Sequence, residues 1–138
     1  MFDGKIWVIG GLSGTFKNDV WYSSDGINWT EATSSADWSV RYNHESIVYN
    51  DKICVMGGRN YHNMLNDLWY SVDGINWVEV IDSADWEPRE KFSALVYDDK
   101  VWIMGGTDSE YFNDVWYTLD GITWTEANNS ADWLPRRG

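Results

Sequence analysis

Short apolar runs alternate with turn residues along the whole chain. Residues 5–11 (KIWVIGG) form one such run, which is rich in β-branched and aromatic residues and is stopped by a glycine pair, as is typical of a buried strand. Two further runs, DVWYS at 19–23 and NWTEA at 28–32, flank Asp25 and Gly26. This dipeptide favours a hairpin because both residues tolerate positive φ. No ten-residue window has a convincing period of 3.6 residues, so the pattern predicts an all-β chain of short strands.

The pattern repeats over the whole length of the chain. Trp21, Trp69 and Trp116 follow one another at intervals of 48 and 47 residues, and the runs KICVMGG and KVWIMGG repeat the first glycine-ended strand. A further run, ESIVYND at 45–51 and SALVYDD at 93–99, precedes that strand in the later units. Each full unit is therefore predicted to be an antiparallel meander of four strands. Four short strands at a period near fifty residues indicate a β-propeller blade.

The residues within each unit resemble kelch repeats. A glycine pair ends the second strand of each unit, an aromatic pair lies in the third strand, a tryptophan opens the fourth, and an arginine (Arg41, Arg89 or Arg136) precedes the next first strand. The resemblance covers essentially all of the chain and implies a kelch-like β-propeller segment of three blades. Cys54 departs from the pattern, because it replaces the aromatic residue of the other two second strands, and we expect it to be a small buried hydrophobe.

The hairpins SSDGINW, SVDGINW and TLDGITW also resemble shortened Asp-boxes, the turns found at this blade position in sialidase-like propellers. The aspartates are expected to accept hydrogen bonds from the amides of their own turns, while glycine supplies the left-handed conformation. An Asp-box marks a fold element and gives no indication of glycosidase chemistry.

Residues that recur identically in every unit serve a need that recurs in every unit, and that need is folding. The same reasoning places Glu31, Glu79 and Glu126 on a solvated face. The predicted architectural positions are Gly10, Gly11, Trp21, Asp25, Gly26, Trp29, Gly57, Gly58, Trp69, Asp73, Gly74, Trp77, Gly105, Gly106, Trp116, Asp120, Gly121 and Trp124.

A binding site should break this symmetry, and one face of the predicted propeller does so. We call it the variable-loop face; it consists of the loops between second and third strands (12–17, 59–65 and 107–112) and the segments that enter the next first strand (41–44 and 89–91). Binding residues concentrate in variable loops on a constant scaffold. The kelch resemblance also implies binding through this face. The candidate ligand-binding residues are Phe16, Arg41, His44, Arg59, Tyr61, His62, Arg89, Asp108, Tyr111 and Phe112.

Catalytic patterns are weak in this sequence. The two histidines, His44 and His62, occupy positions that do not match between units and lack metal-ligand spacing. Asp108 and Glu110 form an acidic pair that could do acid–base work in a cleft, but a solvated loop explains them more simply. Galactose oxidase shares the kelch scaffold and carries a copper centre, yet none of its roles can be assigned to a residue here. The sequence therefore predicts no enzyme activity, no metal site and no cofactor.

Composition and charge limit the classes of partner that the chain is expected to bind. The chain has 138 residues, 43% hydrophobic and 17% aromatic, and a formal net charge of -12, which opposes attraction to nucleic acids and to anionic membranes. No apolar stretch approaches the roughly 18 residues of a membrane helix, and the first residues do not resemble a signal peptide. The chain is therefore predicted to be soluble. Its single cysteine leaves the compartment open, and Asn28 and Asn128 begin N-glycosylation sequons that chance explains adequately.

The units divide the chain unevenly. Blade 1 is expected at 1–40 with its first strand largely missing, blade 2 at 41–88, blade 3 at 89–135, and the start of a further blade at 136–138. Three blades cannot close a ring, because propellers have about four to eight. Two chains could therefore form a six-bladed ring, or the chain could be part of a longer propeller. The six-bladed ring has a defect, because each junction between chains would lack the residues equivalent to 92–95, which belong to the first strand of a blade. A ring of three chains and an unclosed form therefore remain as alternatives.

Three functions agree with these observations. The first is a non-enzymatic binding or scaffold module that binds a protein or peptide through the variable-loop face and assembles from partial propellers. The second is a carbohydrate-binding or carbohydrate-active propeller, of the sialidase-like or galactose-oxidase-like kind, suggested by the Asp-box likeness and the many aromatic residues. The third is a chain whose main property is self-assembly into a closed propeller.

Overall fold

The computed structural model describes residues 1–138, and every regular element in it is a β-strand. The strands are β1 (Ile6–Ser13), β2 (Thr15–Ser23), β3 (Thr30–Thr33), β4 (Glu45–Tyr49), β5 (Lys52–Arg59), β6 (Met64–Ser71), β7 (Val78–Ile81), β8 (Ser93–Tyr97), β9 (Lys100–Met104), β10 (Val115–Thr118) and β11 (Trp124–Asn128). They form three antiparallel sheets, β1-β2-β3, β4-β5-β6-β7 and β8-β9-β10-β11, which we call blades 1, 2 and 3. The predicted all-β fold is confirmed.

The blades are arranged side by side, as in a segment of a propeller. The first strands of blades 2 and 3, β4 and β8, lie next to each other and form the inner edge of the arc. Blade 1 has no strand at this position, so β1 is its inner edge. The two hydrophobic cores lie between neighbouring blades, which shows that each blade is stabilised mainly by the next one.

Tryptophans fill both cores. Trp38, from the segment after blade 1, meets Trp77 of blade 2 edge to face with ring centroids 5.7 Å apart, and Trp86 meets Trp124 in the same way at 5.8 Å. Edge-to-face contacts add stabilisation beyond the area that the rings bury. The repetition of this contact at both junctions explains why the two tryptophans recur in each unit.

The hairpin aspartates are bound within their own turns. Asp25 Oδ1 accepts the amide N–H groups of Ile27 and Asn28, both at 2.8 Å, and Asp25 Oδ2 accepts the side-chain amide of Asn28. The Asn28 side chain, followed by these backbone amides, holds the pKa of Asp25 well below its usual range. Blades 2 and 3 repeat the main-chain bonds at Asp73 and Asp120.

One predicted loop is mostly strand. The hydrophobic pattern predicts a variable loop at residues 12–17, but β1 continues to Ser13 and β2 starts at Thr15, with Gly14 between them at φ 67°. Positive φ is readily accessible to glycine, so this single residue allows a tight reversal and lets the two strands pair to their ends. The first part of the variable-loop face is therefore a rigid hairpin tip.

The segments that join the blades pass close to the glycine pairs. At Gly58, a Cβ atom would lie 2.6 Å from Cβ of His44, and φ is 86°. In blades 2 and 3 the second glycine of the pair thus lets the segment that enters that blade run directly against the end of its own second strand. The pair also interrupts the strand register between Met56 and Gly58.

Candidate binding surface

Two buried ion pairs fix the segments that enter blades 2 and 3. The Arg41 guanidinium donates two parallel hydrogen bonds to Asp67, at 2.8 and 2.7 Å, and a third at 3.1 Å to the carbonyl oxygen of Gly57. Arg89 does the same with Asp114, at 2.6 and 2.7 Å, and with the carbonyl oxygen of Gly105 at 2.9 Å. Such bidentate pairs combine strength with a fixed geometry.

These contacts correct the interpretation of Arg41 and Arg89 as surface ligand-binding residues. Both side chains are 0% exposed, so a ligand on the face cannot reach them. Burial disfavours the charged form of Asp114. The hydrogen bond from Arg89 and the positive charge of Arg89 outweigh this effect, so the pKa of Asp114 lies below its usual value. Arg41 and Arg89 connect one blade to the next.

His44 is half-buried beside the first blade junction. Its imidazole lies beside Trp38, with ring centroids 6.2 Å apart, and next to Gly10, while the His44 main chain and Cβ run against Gly58. Burial, assisted by the charge of Arg41, lowers its pKa to about 4. The imidazole is therefore neutral near pH 7, and its buried Nδ1 has no hydrogen-bond partner. Packing thus accounts for most of the surroundings of His44, and its role as a ligand-binding residue stays a prediction.

Aromatic side chains from two blades meet on the variable-loop face. Phe16 of blade 1 stacks on Tyr61 of blade 2, with ring centroids 4.2 Å apart and an interplanar angle of 5°. The Phe16 amide donates a hydrogen bond to Tyr61 Oη at 2.9 Å, and Phe16 also contacts Tyr42 at a centroid distance of 4.6 Å. We call Phe16, Tyr42 and Tyr61 the aromatic cluster. Its rings are held in a fixed arrangement, while Tyr61 remains 56% exposed.

Two other candidates lie beside the aromatic cluster. Arg59 pairs with Tyr42 through two main-chain hydrogen bonds and has an exposed side chain. His62 is exposed in the turn between β5 and β6, where its amide donates to the side-chain oxygen of Asn60. Sequence reasoning did not select Tyr42; its only signal was its place next to Arg41 in a joining segment.

The candidates in blade 3 form a separate group. Asp108 accepts the amide N–H of Glu110 at 2.8 Å and that of Ser109, and these bonds lower the pKa of its carboxyl group. An ionised carboxylate that caps its own turn is not a general acid. Phe112 lies 4.2 Å from the Arg89 guanidinium and supports that buried group, while Tyr111 is 52% exposed.

Two cavities lie away from this face. A groove of about 490 Å³, lined mainly by hydrophobic residues, runs along the inner edge of blade 1 beside Ile47 of β4. A second cavity of about 260 Å³ lies between blades 2 and 3 next to Cys54. Burial raises the pKa of the Cys54 thiol to about 11, so the thiol is protonated and unreactive near pH 7. No group of three or more histidine, cysteine, aspartate or glutamate side chains comes together as a metal site.

Comparison with known proteins identifies the repeats. The family model of the KLHDC2/KLHL20/DRC7 Kelch-repeats domain matches residues 1–138, whereas a search of curated proteins gave no match. The structure contains no helix that could span a membrane. Kelch-repeat domains are generally non-catalytic modules that bind proteins. Since the family model covers the whole described chain, the chain belongs to the KLHDC2/KLHL20/DRC7 Kelch-repeats family.

Proposed function

We propose that the chain is a non-enzymatic binding module that holds a protein or peptide on its variable-loop face. The observation that carries the proposal is the aromatic cluster, in which the hairpin tip of blade 1 and a loop of blade 2 present stacked rings on a fixed scaffold. Aromatic and arginine side chains dominate the energetics of protein interfaces. Tyr61 and Arg59 supply both kinds at the surface, and neither side chain is buried in the blade junctions.

The geometry of the cluster favours binding for a second reason. The Phe16–Tyr61 stack and the hydrogen bond to Tyr61 Oη fix the rings before a ligand arrives. A fixed aromatic ring loses little conformational entropy on binding, so more of the contact energy appears as affinity. Tyr111 of blade 3 is a further exposed ring on this face, on the side nearer Arg137.

We also propose that two copies assemble around a two-fold axis into a six-bladed ring. The outward side of blade 1 supports this proposal. Ile6, Val8 and Trp29 are 48%, 48% and 40% exposed, and the residues at the same positions of blade 2, Ile53, Val55 and Trp77, are 3%, 0% and 6% exposed. Blade 1 thus presents to solvent the surface that blades 2 and 3 bury against the blade before them, and large exposed apolar patches mark interaction sites.

A library of random twelve-residue peptides displayed on phage tests the binding proposal. Peptides selected on the purified chain are resynthesised and titrated against the wild type, Tyr61→Ala and Tyr97→Ala. Tyr97 is the matched control, because it is 69% exposed but lies in β8 at the end away from the variable loops. Loss of at least about tenfold in affinity for Tyr61→Ala, with Tyr97→Ala unchanged, is the expected result.

Two outcomes would contradict the proposal. Equal affinity of all three proteins for every selected peptide would place binding elsewhere on the chain. Selective binding of a defined sugar on a glycan array, abolished by Tyr61→Ala, would favour the carbohydrate-binding function instead. Circular dichroism spectra of the two variants provide the control for folding.

A further inference from the structure

Each internal blade junction carries the same arginine–aspartate arrangement. The arginine main chain pairs with the preceding blade, while its guanidinium reaches the following blade: Arg41 pairs with Lys17 of blade 1 and binds Asp67 of blade 2. Arg89 pairs with Leu65 of blade 2 and binds Asp114 of blade 3. Both guanidinium groups also lie over a tryptophan of their own segment, Trp38 or Trp86. The arrangement therefore bridges one blade to the next.

The segment after blade 3 already holds the arginine half of a third bridge. The Arg136 amide donates to the carbonyl oxygen of Phe112, and its own carbonyl oxygen accepts the amide of Gly106, as Arg41 and Arg89 do in their blades. Its Nε donates to the Leu134 carbonyl oxygen at 3.0 Å, and its guanidinium lies 5.6 Å from the Trp133 ring. The two Nη atoms have no acceptor, so this arginine is set in the bridging conformation without a carboxylate.

Blade 1 holds the aspartate half. Asp19 occupies the position of Asp67 and Asp114, and its Oδ2 accepts the indole N–H of Trp21 at 3.0 Å. The same bond fixes Asp67 through Trp69 at 2.9 Å and Asp114 through Trp116 at 2.8 Å. No arginine or lysine pairs with Asp19. Its carboxylate is thus oriented for a bidentate partner that its own copy does not supply.

A second type of contact between blades, from a tryptophan amide to an aspartate, also has its two partners at opposite ends of the chain. The main-chain amide of Trp77 donates to Asp37 of the preceding blade at 3.2 Å, and that of Trp124 donates to Asp85 at 3.3 Å. Trp29 of blade 1 stands at the donor position, and exposed Asp132 after blade 3 stands at the acceptor position. For both polar contacts, one partner therefore lies in blade 1 and the other in the segment after blade 3.

We propose that Arg136 of one copy binds Asp19 of a second copy, and that Asp132 of the first accepts the amide of Trp29 of the second. The inference rests on the proposed two-copy ring and names the residues that set its register. In a closed pair the contact forms twice, because each copy supplies one arginine end and one aspartate end. Fixed charge pairs suit this role, since opposite charges favour one alignment and penalise the others.

A double-mutant cycle measured by sedimentation velocity tests the ion pair. The dimer dissociation constant is determined for the wild type, Asp19→Asn, Arg136→Gln and the double variant, with Arg137→Gln as the matched control. Arg137 is the exposed neighbour of Arg136 and has no counterpart in the internal bridges. Asparagine keeps an oxygen for the Trp21 indole, so Asp19→Asn removes the charge with little local change.

The expected result is strong coupling. Either single variant should weaken the dimer at least about a hundredfold, because each leaves a charge unpaired at two junctions. The double variant should be no weaker than the poorer single variant, and Arg137→Gln should dissociate like the wild type. Far-UV circular dichroism of each protein at high dilution shows whether the isolated copy keeps its fold.

Different failures have different meanings. A dimer whose variants act additively, or that loses as much with Arg137→Gln, would overturn the ion pair and leave the two-copy ring standing. A wild-type chain that stays monomeric at every concentration would overturn the second copy as partner, and with it both the two-copy ring and the ion pair between Arg136 and Asp19.

Discussion

Replacing Cys54 by tryptophan is expected to stabilise the chain by filling the cavity between blades 2 and 3. At the matching positions of blades 1 and 3, Trp7 and Trp102 donate their indole N–H groups to the carbonyl oxygens of Phe2 and Tyr97, at 3.0 and 2.9 Å. The carbonyl oxygen of Tyr49 stands at the same position of blade 2. A tryptophan at position 54 would therefore find its acceptor in place.

The opposite wall of the cavity can receive the ring. Trp7 lies so close to Gly74 of blade 2 that a Cβ atom there would overlap the indole. Gly121 is the matching residue of blade 3, and the nearest atom to its Cβ position is Val80 Cγ1 at 3.4 Å. The space that Trp7 uses at the first junction is thus the cavity of about 260 Å³ at the second.

The stabilisation expected for Cys54→Trp follows from the apolar area that the new side chain buries. A buried aromatic side chain removes roughly 150–250 Å² from water, and we take about 100 Å² as the gain over cysteine. At about 25 cal/mol/Å² this contributes about 2.5 kcal/mol. Loss of rotamer freedom offsets about 0.5–1 kcal/mol. The net gain of about 1.5–2 kcal/mol should raise the Tm by about 5 °C for a chain of this size.

Differential scanning calorimetry of the wild type, Cys54→Trp and Cys54→Phe measures this effect. Phenylalanine fills less of the cavity and has no N–H group for the Tyr49 carbonyl oxygen, so its gain should be smaller. A Cys54→Trp protein that melts at or below the wild-type temperature would refute the equivalence of the two junctions on which the reasoning rests.

Three further predictions follow from the junctions and hairpins. Arg89→Met leaves the Asp114 carboxylate, whose side chain is only 14% exposed, without its partner. This change should cost about 3–5 kcal/mol in urea unfolding, while Arg137→Met at an exposed position should change stability by less than about 0.5 kcal/mol. Equal effects of the two substitutions would contradict the bridging role of Arg89. Burial works against the charge of Asp73, but the hydrogen bonds of the second hairpin together outweigh it and lower the pKa of Asp73 from 3.8 to about 2. The stability that Asp73 contributes is therefore present above about pH 4 and is lost toward pH 2. Asp73→Asn should flatten the dependence of Tm on pH in that window, and an unchanged slope would count against this account. Burial lowers the pKa of His44 from 6.5 to about 4, so stability falls as the pH drops through that interval. His44→Phe introduces the residue type that blade 3 has at this position, Phe92, and should remove this loss of stability. If the loss persists in His44→Phe, another group is responsible for it.

The fold was predictable because its signals are local and repeated. Glycine-ended apolar runs and the Asp-Gly hairpins mark each strand and turn within a few residues, and the repeat shows which strands share a blade. The hairpin at Gly14 was missed because the hydrophobic pattern stops before the strands do. There the backbone pairing continues through polar residues such as Ser13 and Thr15.

The candidate surface was less predictable because it depends on contacts between distant residues. Arginine at positions 41 and 89 looks like an interface residue until Asp67 and Asp114 are placed beside it by the next blade. The sequence placed Phe16 and Tyr61 on one face, but their stacking depends on the angle between blades. A repeated arginine followed 26 or 25 residues later by a repeated aspartate was the available signal for the buried pairs.

The solution mass of the purified chain tests the two-copy ring most directly. Light scattering coupled to size exclusion, over a range of concentrations, gives this mass independently of shape. The account predicts one discrete species with twice the 16.0 kDa mass of the chain. A species that keeps the mass of a single chain at every concentration, or a continuous distribution of larger aggregates, would contradict it.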